Sequence, residues 1–203
     1  MILDAETTTP TDGGGASFSI FNRLERSAWQ VLWLLLARWT PPAFSPWRIW
    51  LLKLFGARVA PGAMIAASTT VWLPRHLTLG RNCSLAPGVD CYNIAPIAIG
   101  KKTIISQRTY LCTGSHSIAD KNFQLIAKPI NIGDHVWIAA DAFVGPGVTV
   151  GAGAVLGARG CAFDNLEAWT VYRGNPAARL CARRWGLEGQ DPENICADDR
   201  KSL

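Results

Sequence analysis

Residues 132–157 repeat themselves every six positions. The units are Ile132-Gly133-Asp134-His135-Val136-Trp137, Ile138-Ala139-Ala140-Asp141-Ala142-Phe143, Val144-Gly145-Pro146-Gly147-Val148-Thr149 and Val150-Gly151-Ala152-Gly153-Ala154-Val155, and Leu156-Gly157 opens another. Each unit starts on an aliphatic residue, continues with Gly or Ala, and carries Val or Ala at its fifth place. A helix repeats every 3.6 residues and a half-buried strand every two, so neither accounts for this period. A period of six is that of a parallel β-helix, in which each unit forms one flat side of a prism. The first and fifth side chains of a unit are expected to point inward. The small second residue is expected where the backbone turns a corner and a Cβ is costly.

Counting backwards from Ile132, the same register extends to Val59 with three interruptions. The openers are Val59, Ile65, Val71; Leu79, Leu85, Cys91; Ile99, Ile105, Leu111; then Ile132, Ile138, Val144, Val150 and Leu156. Fifth places are small or apolar throughout, apart from Arg75 at an interruption. Three units make one 18-residue turn. The step from Val59 to Leu79 is 20, from Leu79 to Ile99 again 20, and from Ile99 to Ile132 it is 33. All the extra residues therefore follow the third side and leave the coil along one vertical edge. Loops gathered on one edge of a solenoid commonly build its binding surface. Turns stack about 4.8 Å apart, which sets Leu111 over Cys91 and Val71, Thr113 over Asn93, and His116 near Pro96 and below Thr149. His116 then lies at the base of the long loop 117–130.

Before the coil, residues 1–20 are rich in Thr, Gly and Asp and lack the basic start and apolar core of a secretory signal, so a flexible tail is expected. Residues 21–39 read as a helix. Phe21, Leu24, Ala28, Val31, Leu32, Leu35 and Trp39 share one face, and Asn22, Arg23, Arg26 and Gln30 the other. Pro41-Pro42 ends it, and Pro46 can begin a second short helix. The apolar run at 31–37 is far short of the roughly 20 residues that span a bilayer. These helices either pack on the coil or a neighbouring subunit, or make peripheral membrane contact with Trp and Arg at headgroup level. Trp29, Trp33, Leu34 and Leu36 fall beside or within the polar sector, so one packed face does not cover every apolar side chain. Arg23, Arg26, Arg38, Arg48 and Lys53 are interleaved with them. The expected division is a tail at 1–20, a helical appendage at 21–58, the coil at 59–180, and a C-terminal helix with an acidic tail at 181–203.

The formal charge of +5 is uneven, since residues 186–203 carry five acids and two bases. A basic body suits anionic small molecules, phosphates or a lipid surface. No dense Lys/Arg run with interleaved aromatics marks a nucleic-acid groove. Six cysteines form no C-x-x-C pair, and Cys83 and Cys91 fall on inward places where a thiol acts as a small hydrophobe. Reduced thiols of a cytosolic protein are the expectation.

Certain stretches go further than the repeat. Ile105-Ser106-Gln107, the run Tyr110-Leu111-Cys112-Thr113-Gly114-Ser115-His116, then Gly133-Asp134-His135-Val136-Trp137-Ile138 and Gly174-Asn175-Pro176-Ala177 resemble the hexapeptide-repeat acyltransferases. Within that family they are most similar to the colanic-acid-type exopolysaccharide O-acetyltransferases and the galactoside and maltose acetyltransferases. The resemblance covers residues 21–184 and implies an all-β, left-handed parallel β-helix with a helical appendage. The hand comes from the resemblance alone, as an exception to the usual right-handed crossover. It also implies a homotrimer with sites between coils, and acetyl-CoA as donor. The implied acceptor is a sugar or lipid-linked oligosaccharide, in the cytoplasm or at the cytoplasmic face of the inner membrane.

The resemblance assigns roles residue by residue. His116 matches the catalytic histidine, and an imidazole has the right basicity to take a hydroxyl proton. The backbone N–H of Ala140, three residues past Trp137, matches the oxyanion donor and a donor-side contact. Asn93, Asp90 and Trp137 are the implied acceptor contacts. Gly157, Ala158, Arg159, Arg179 and Arg183 are the implied coenzyme A contacts. The donor side departs from the pattern, with Ala162-Phe163 where relatives often carry Thr-Lys, and Ala178 where a basic residue often follows. His76, His116 and His135 hold different places on different sides, so no metal site is expected. An acetyltransferase of a small soluble glycoside remains an alternative, as does a non-catalytic scaffold, against which Ser115-His116 speaks.

Overall fold

The computed structural model describes residues 18–121 and 123–184. Most of the tail expected at 1–20 and of the C-terminal segment expected at 181–203 lies outside these residues. Two helices open the described chain, α1 (Ile20–Leu36) and α2 (Ser45–Leu54). Then five turns of coil follow. The first turn holds β1 (Arg58–Val59), β2 (Met64–Ile65) and β3 (Thr70–Val71). The second holds β4 (Leu77–Leu79), β5 (Ser84–Leu85) and β6 (Asp90–Tyr92), and the third β7 (Ile97–Ile99), β8 (Ile104–Ile105) and β9 (Tyr110–Cys112). A hairpin, β10 (Gly114–His116) and β11 (Leu125–Ala127), interrupts the coil. It resumes with β12 (Ile130–Ile132), β13 (Trp137–Ile138) and β14 (Phe143–Val144), then β15 (Thr149–Val150), β16 (Val155–Leu156) and β17 (Cys161–Ala162). The last strands are β18 (Thr170–Arg173) and β19 (Ala178–Ala182).

The strands stack into three sides. The first side runs β1-β4-β7-β12-β15, the second β2-β5-β8-β13-β16-β18-β19, and the third β3-β6-β9-β14-β17. Every pairing within the coil is parallel, and each opener pairs with the opener of the next turn. Val59 faces Leu79, Ile65 faces Leu85, Val71 faces Cys91, and Leu111 faces Val144. All fourteen openers are buried in one continuous core. Fifth places are buried as well, except at Arg75 and Ser115, where the chain leaves the coil. Inside, burial raises the Cys83 thiol to about 11, so it is a neutral apolar filler.

The corners differ from the expectation. The left-handed backbone sits at the fourth place of most units, as at His135 (φ 59°), Asp141 (58°) and Arg159 (58°). The second place is small for a different reason. A Cβ on Gly133 would lie 2.7 Å from the Ala152 nitrogen of the next turn, and one on Gly151 2.4 Å from that of Ala168. On the first side it is the stacking distance between turns that leaves no room for a side chain there.

The helices close the start of the coil. Ser19, expected in the tail, caps α1 by accepting from the Asn22 N–H. The helix turns its mixed sector to the coil and its apolar face outward. Asn22, Trp29 and Trp33 are buried, while Phe21, Leu24, Val31, Leu35 and Trp39 are exposed. Trp29 Nε1 donates to the Val71 carbonyl at 2.8 Å, and the Arg26 guanidinium lies 4.0 Å over the Trp72 ring. Arg48 of α2 is fully buried and donates to the carbonyls of Ile65, Pro41 and Pro42 and to the Thr40 hydroxyl, which ties α2 to the first turn.

At the other end residues 181–182, where a helix was expected to begin, are strand. β19 runs antiparallel to β18 and covers the edge of the second side, reaching Ala182 beyond the expected coil boundary at 180. Cys181 on that strand is buried and disulfide-bonded, against the expectation of reduced thiols throughout. Cys83, Cys91, Cys112 and Cys161 are free. Cys196 lies outside the described residues.

Candidate active site

The hairpin carrying His116 grows out of the third insertion. Thr113 starts it, its hydroxyl donating to the Tyr92 carbonyl at 2.7 Å and accepting from the Ala95 N–H at 3.0 Å. A Cβ on Gly114 would come within 2.9 Å of the Ile94 side chain and of the Tyr92 ring, so any larger residue would have to push these side chains aside. Gly114 then pairs with Ala127, Ser115 with Ile126, and His116 with Leu125. Leu125 and Ala127 pack on Ile94 and Ala95 of the second insertion, with Phe18, Trp72 and Tyr92 at the margin of this small second core. The insertions thus support one another. His116 does not continue the stack below Thr149, as the register suggested, because Asn131 of β12 pairs there instead.

Phe123 sets the imidazole, and the repeat gives no hint of it. Its backbone is left-handed, with φ 48°. Its carbonyl oxygen lies 2.9 Å from His116 Nδ1, and its ring stacks on the imidazole at 4.4 Å and 8°. A carbonyl only accepts, so Nδ1 carries the hydrogen and Nε2 presents a lone pair. That is the tautomer of a general base acting through Nε2.

Two expected acceptor residues share this part of the molecule with different outcomes. Asn93 is wholly buried. Its Oδ1 accepts from the Leu73 N–H at 3.0 Å and its Nδ2 donates to the Leu73 carbonyl at 2.8 Å. Both ends of the amide are used by the turn below, so Asn93 braces the coil and does not face a substrate. Its own carbonyl meets His76 Nδ1 at 3.2 Å, and burial lowers the His76 pKa. Asp90 points out of the third side beside Tyr110, its partner on β9. Its carboxylate has no hydrogen-bond or ion-pair partner among the described residues, and desolvation raises its pKa. Around it runs a ladder of rings. Trp72 to Tyr92 is 4.9 Å between centroids, Tyr92 to Tyr110 6.3 Å, Tyr110 to Phe143 5.7 Å and Phe143 to Phe163 5.6 Å. Phe163, which stands at a departure from the family pattern, is the outer ring.

The remaining residues form a second group elsewhere on the prism. Trp137 projects from the second side, 46% exposed, and its Nε1 donates to the Ser106 hydroxyl at 3.0 Å. Three residues on, Ala140 occupies the corner between second and third sides. Ala139 N–H donates to Leu156 and Asp141 N–H to Gln107. The Ala140 N–H between them meets no acceptor among the described residues. Arg108 clamps the same corner through two bonds to Asp141, at 2.7 and 2.8 Å, which also lower the Asp141 pKa. Gly157, Ala158 and Arg159 form the corner one turn further, joined to it by the Arg159 N–H donating to the Ala140 carbonyl. Arg159 and Arg179 are exposed. Arg183 lies apart. Its Nη1 donates to the His135 and Gly153 carbonyls, both at 2.8 Å, on the corner between first and second sides. That guanidinium buttresses the coil and does not join Arg159.

His116 and Asp90 therefore belong to the third side and the edge after it, whereas Trp137, Ala140 and Arg159 belong to the second side and the corner before the third. The third side separates His116 from that corner, about 15 Å at 3.3 Å per residue, while Asp90 stands at the start of that side, in register two residues past the Arg108–Asp141 corner. Among the described residues, no group of three or more His, Cys, Asp and Glu side chains is arranged to hold a metal ion.

No family model matches the sequence. A protein of Escherichia coli K12 named as the colanic acid biosynthesis acetyltransferase WcaF is 42% identical over 162 residues, spanning 80% of this chain and 89% of its own. The chain belongs to the hexapeptide-repeat acetyltransferases. A member of that family from Vibrio cholerae, crystallised with acetyl coenzyme A, has the same fold, with a TM-score of 0.72 at 26% identity over 82% of this chain and 91% of its own. The galactoside O-acetyltransferase of Escherichia coli K12 is 26% identical over 129 residues, 62% of this chain and 64% of its own. This acetyltransferase thus carries the family coil, the histidine on its hairpin, and a ring ladder running from that hairpin along the third side.

Proposed function

We propose that the protein moves an acetyl group from acetyl-CoA to a hydroxyl of a sugar in a precursor of surface polysaccharide. The name of the Escherichia coli relative supports that acceptor class. The observation that carries the reading is the His116 imidazole, held by the Phe123 carbonyl and ring with Nε2 free. Nε2 takes the proton of the acceptor hydroxyl as its oxygen attacks the thioester carbon. The carbonyl π pair moves onto oxygen, and the Ala140 N–H of a second copy stabilises that charge. The intermediate collapses, the C–S bond breaks, and the thiolate takes the proton back from Nε2. The ester and free coenzyme A leave. Asp90 accepts from other sugar hydroxyls while Tyr92 and Tyr110 offer ring surface.

In this reading the working unit is a homotrimer. The two half-sites lie a side apart in one chain, and a neighbouring coil supplies the missing half. Trp137 lines the donor half, with Gly157 and Ala158 at the corner above and Arg159 and Arg179 toward the coenzyme A phosphates. We place the reaction in the cytoplasm, where acetyl-CoA is available, at a membrane face that residues 21–58 contact. A small soluble glycoside is the second acceptor reading, favoured by the likeness to galactoside O-acetyltransferase.

The test is His116→Ala. It is expected to lower kcat by roughly 10² to 10⁴-fold while coenzyme A still raises the melting temperature. Retention of more than about a tenth of the activity removes His116 from the role of base.

A further inference from the structure

Helix α1 is turned the unusual way round. Its mixed polar sector, Asn22, Arg26, Trp29 and Trp33, meets the coil, and its apolar stripe looks outward. Leu24 is 64% exposed, Leu35 66% and Trp39 80%. Ile20, Leu24, Val31 and Leu35 follow the helical repeat along one line, so the stripe runs the full length of the helix. The surface continues onto α2. Trp47 Nε1 donates to the Leu36 carbonyl at 2.9 Å, and the ring stacks on exposed Trp50 at 5.1 Å. Of the twenty large hydrophobic side chains exposed among the described residues, twelve lie between Ile20 and Leu54. Such concentration marks a surface that meets something apolar.

Charge decides what that is. Glu25 is the sole acid between residues 18 and 58, and Arg75 holds it at 2.6 Å. Arg26 and Arg48, counted in the sequence among the basic fringe, are committed to Trp72 and to buried carbonyls. Arg23, Arg38 and Lys53 remain exposed around the stripe. A second copy seated on this face would set these cations against their own kind with no acid between them. An anionic bilayer supplies both missing parts, an apolar layer for the stripe and phosphates for the fringe. No helix among the described residues is long and apolar enough to cross a membrane, so α1 lies along the surface.

We propose that the exposed face of α1 and α2 docks the enzyme on an anionic lipid bilayer, with Leu24, Val31 and Leu35 in the acyl boundary and Trp39, Trp47 and Trp50 at headgroup depth. This makes specific the membrane contact in the functional reading above and rests on it. Arg26 and Trp72 link the docked helix to the small core under the His116 hairpin. A lipid-linked sugar would thereby reach the histidine from the surface the enzyme sits on. In a cyclic trimer all three faces lie at the same end of the coils, and binding is multivalent.

The experiment is flotation of the full chain with vesicles of phosphatidylcholine alone or with a quarter phosphatidylglycerol, beside light scattering and the coenzyme A melting shift. The native protein is expected to float with the anionic vesicles at low salt and to be released at high salt. The Leu24→Glu, Leu35→Glu double variant should float at least tenfold less, with unchanged molar mass and coenzyme A shift. If the native protein stays in the aqueous fraction, or the variant floats as well, the docking face is refuted. It is equally refuted if the native protein is a larger assembly that the double variant splits, since the stripe then joins copies. Loss of acetyl transfer in an enzyme that still floats would instead count against the functional reading.

Discussion

Asp90 is a carboxylate that folding disfavours. Burial beside Tyr92 and Tyr110 raises its pKa, so just above the ordinary carboxylate range the folded chain holds more proton than the unfolded one. Its contribution therefore falls as pH rises through that window, and at neutral pH the ionised group weakens the fold. Asp90→Asn is expected to melt higher than the native protein at pH 7 to 8, with the difference shrinking toward pH 4. Acceptor KM should rise in the same variant, because an amide replaces a pure acceptor. Melting curves against pH and steady-state kinetics check both, and a lower melting point with unchanged KM would make Asp90 structural. Asn93 predicts the reverse pattern. Asn93→Leu strands the buried Leu73 N–H and carbonyl, about 1–3 kcal/mol for each, so the melting temperature should fall by roughly 5 °C or more. The sequence distinguishes these two only partly. His116 is legible because Gly-Ser-His stands where an insertion begins. Asn93 lies in an insertion where the repeat no longer says what is inward, and its amide proves to serve Leu73. Phe123 acts through its carbonyl and a left-handed φ, neither of which its residue type announces.

The coil was readable as an element because inward places recur by arithmetic. A slip of one residue backward would have put Arg58, Lys102, Arg108, Asp141 and Arg159 inside, and the observed pairing of opener with opener is the register that keeps them out. Helix α1 shows the limit of that arithmetic. Amphipathic spacing identifies an apolar sector but not what faces it. The coil here presents the Val71 carbonyl to an indole N–H and the Trp72 ring to a guanidinium, and so draws in the mixed sector. β19 was missed for a related reason, since covering an open sheet edge demands no period. The hairpin gives the prediction at this scale. Leu125 is its main anchor to Ile94 and Ala95. Leu125→Ala should cost about 2–5 kcal/mol locally. Amide exchange across Gly114–His116 is then expected to accelerate and kcat to fall, while exchange in the coil's openers stays slow. Uniform acceleration through the coil would mean that hairpin and coil unfold as one unit.

At the scale of the whole molecule, the two half-sites make a claim about assembly that mixing can test. Ala140→Pro removes the N–H proposed for the oxyanion and nothing else of consequence. Ala140 holds the third place of its unit, and this chain already carries proline at third places, Pro61, Pro87 and Pro146. The free N–H of Ala140 also means that no hydrogen bond to the described residues is given up. Alone, Ala140→Pro is expected to lose roughly 10² to 10³-fold in kcat, the size of effect seen when one oxyanion donor is removed. His116→Ala alone is expected to lose activity for the other reason, the missing base. In a trimer with each site between neighbours, co-assembly of the two variants creates interfaces where an intact His116 faces an intact Ala140 N–H. With random mixing in equal amounts, one interface in about four has both, so activity should return to roughly a quarter of native. A site completed within one chain gives no recovery at any mixing ratio. Light scattering on the same samples reports the assembly itself, and a monomer at micromolar concentration would separate the two halves for good.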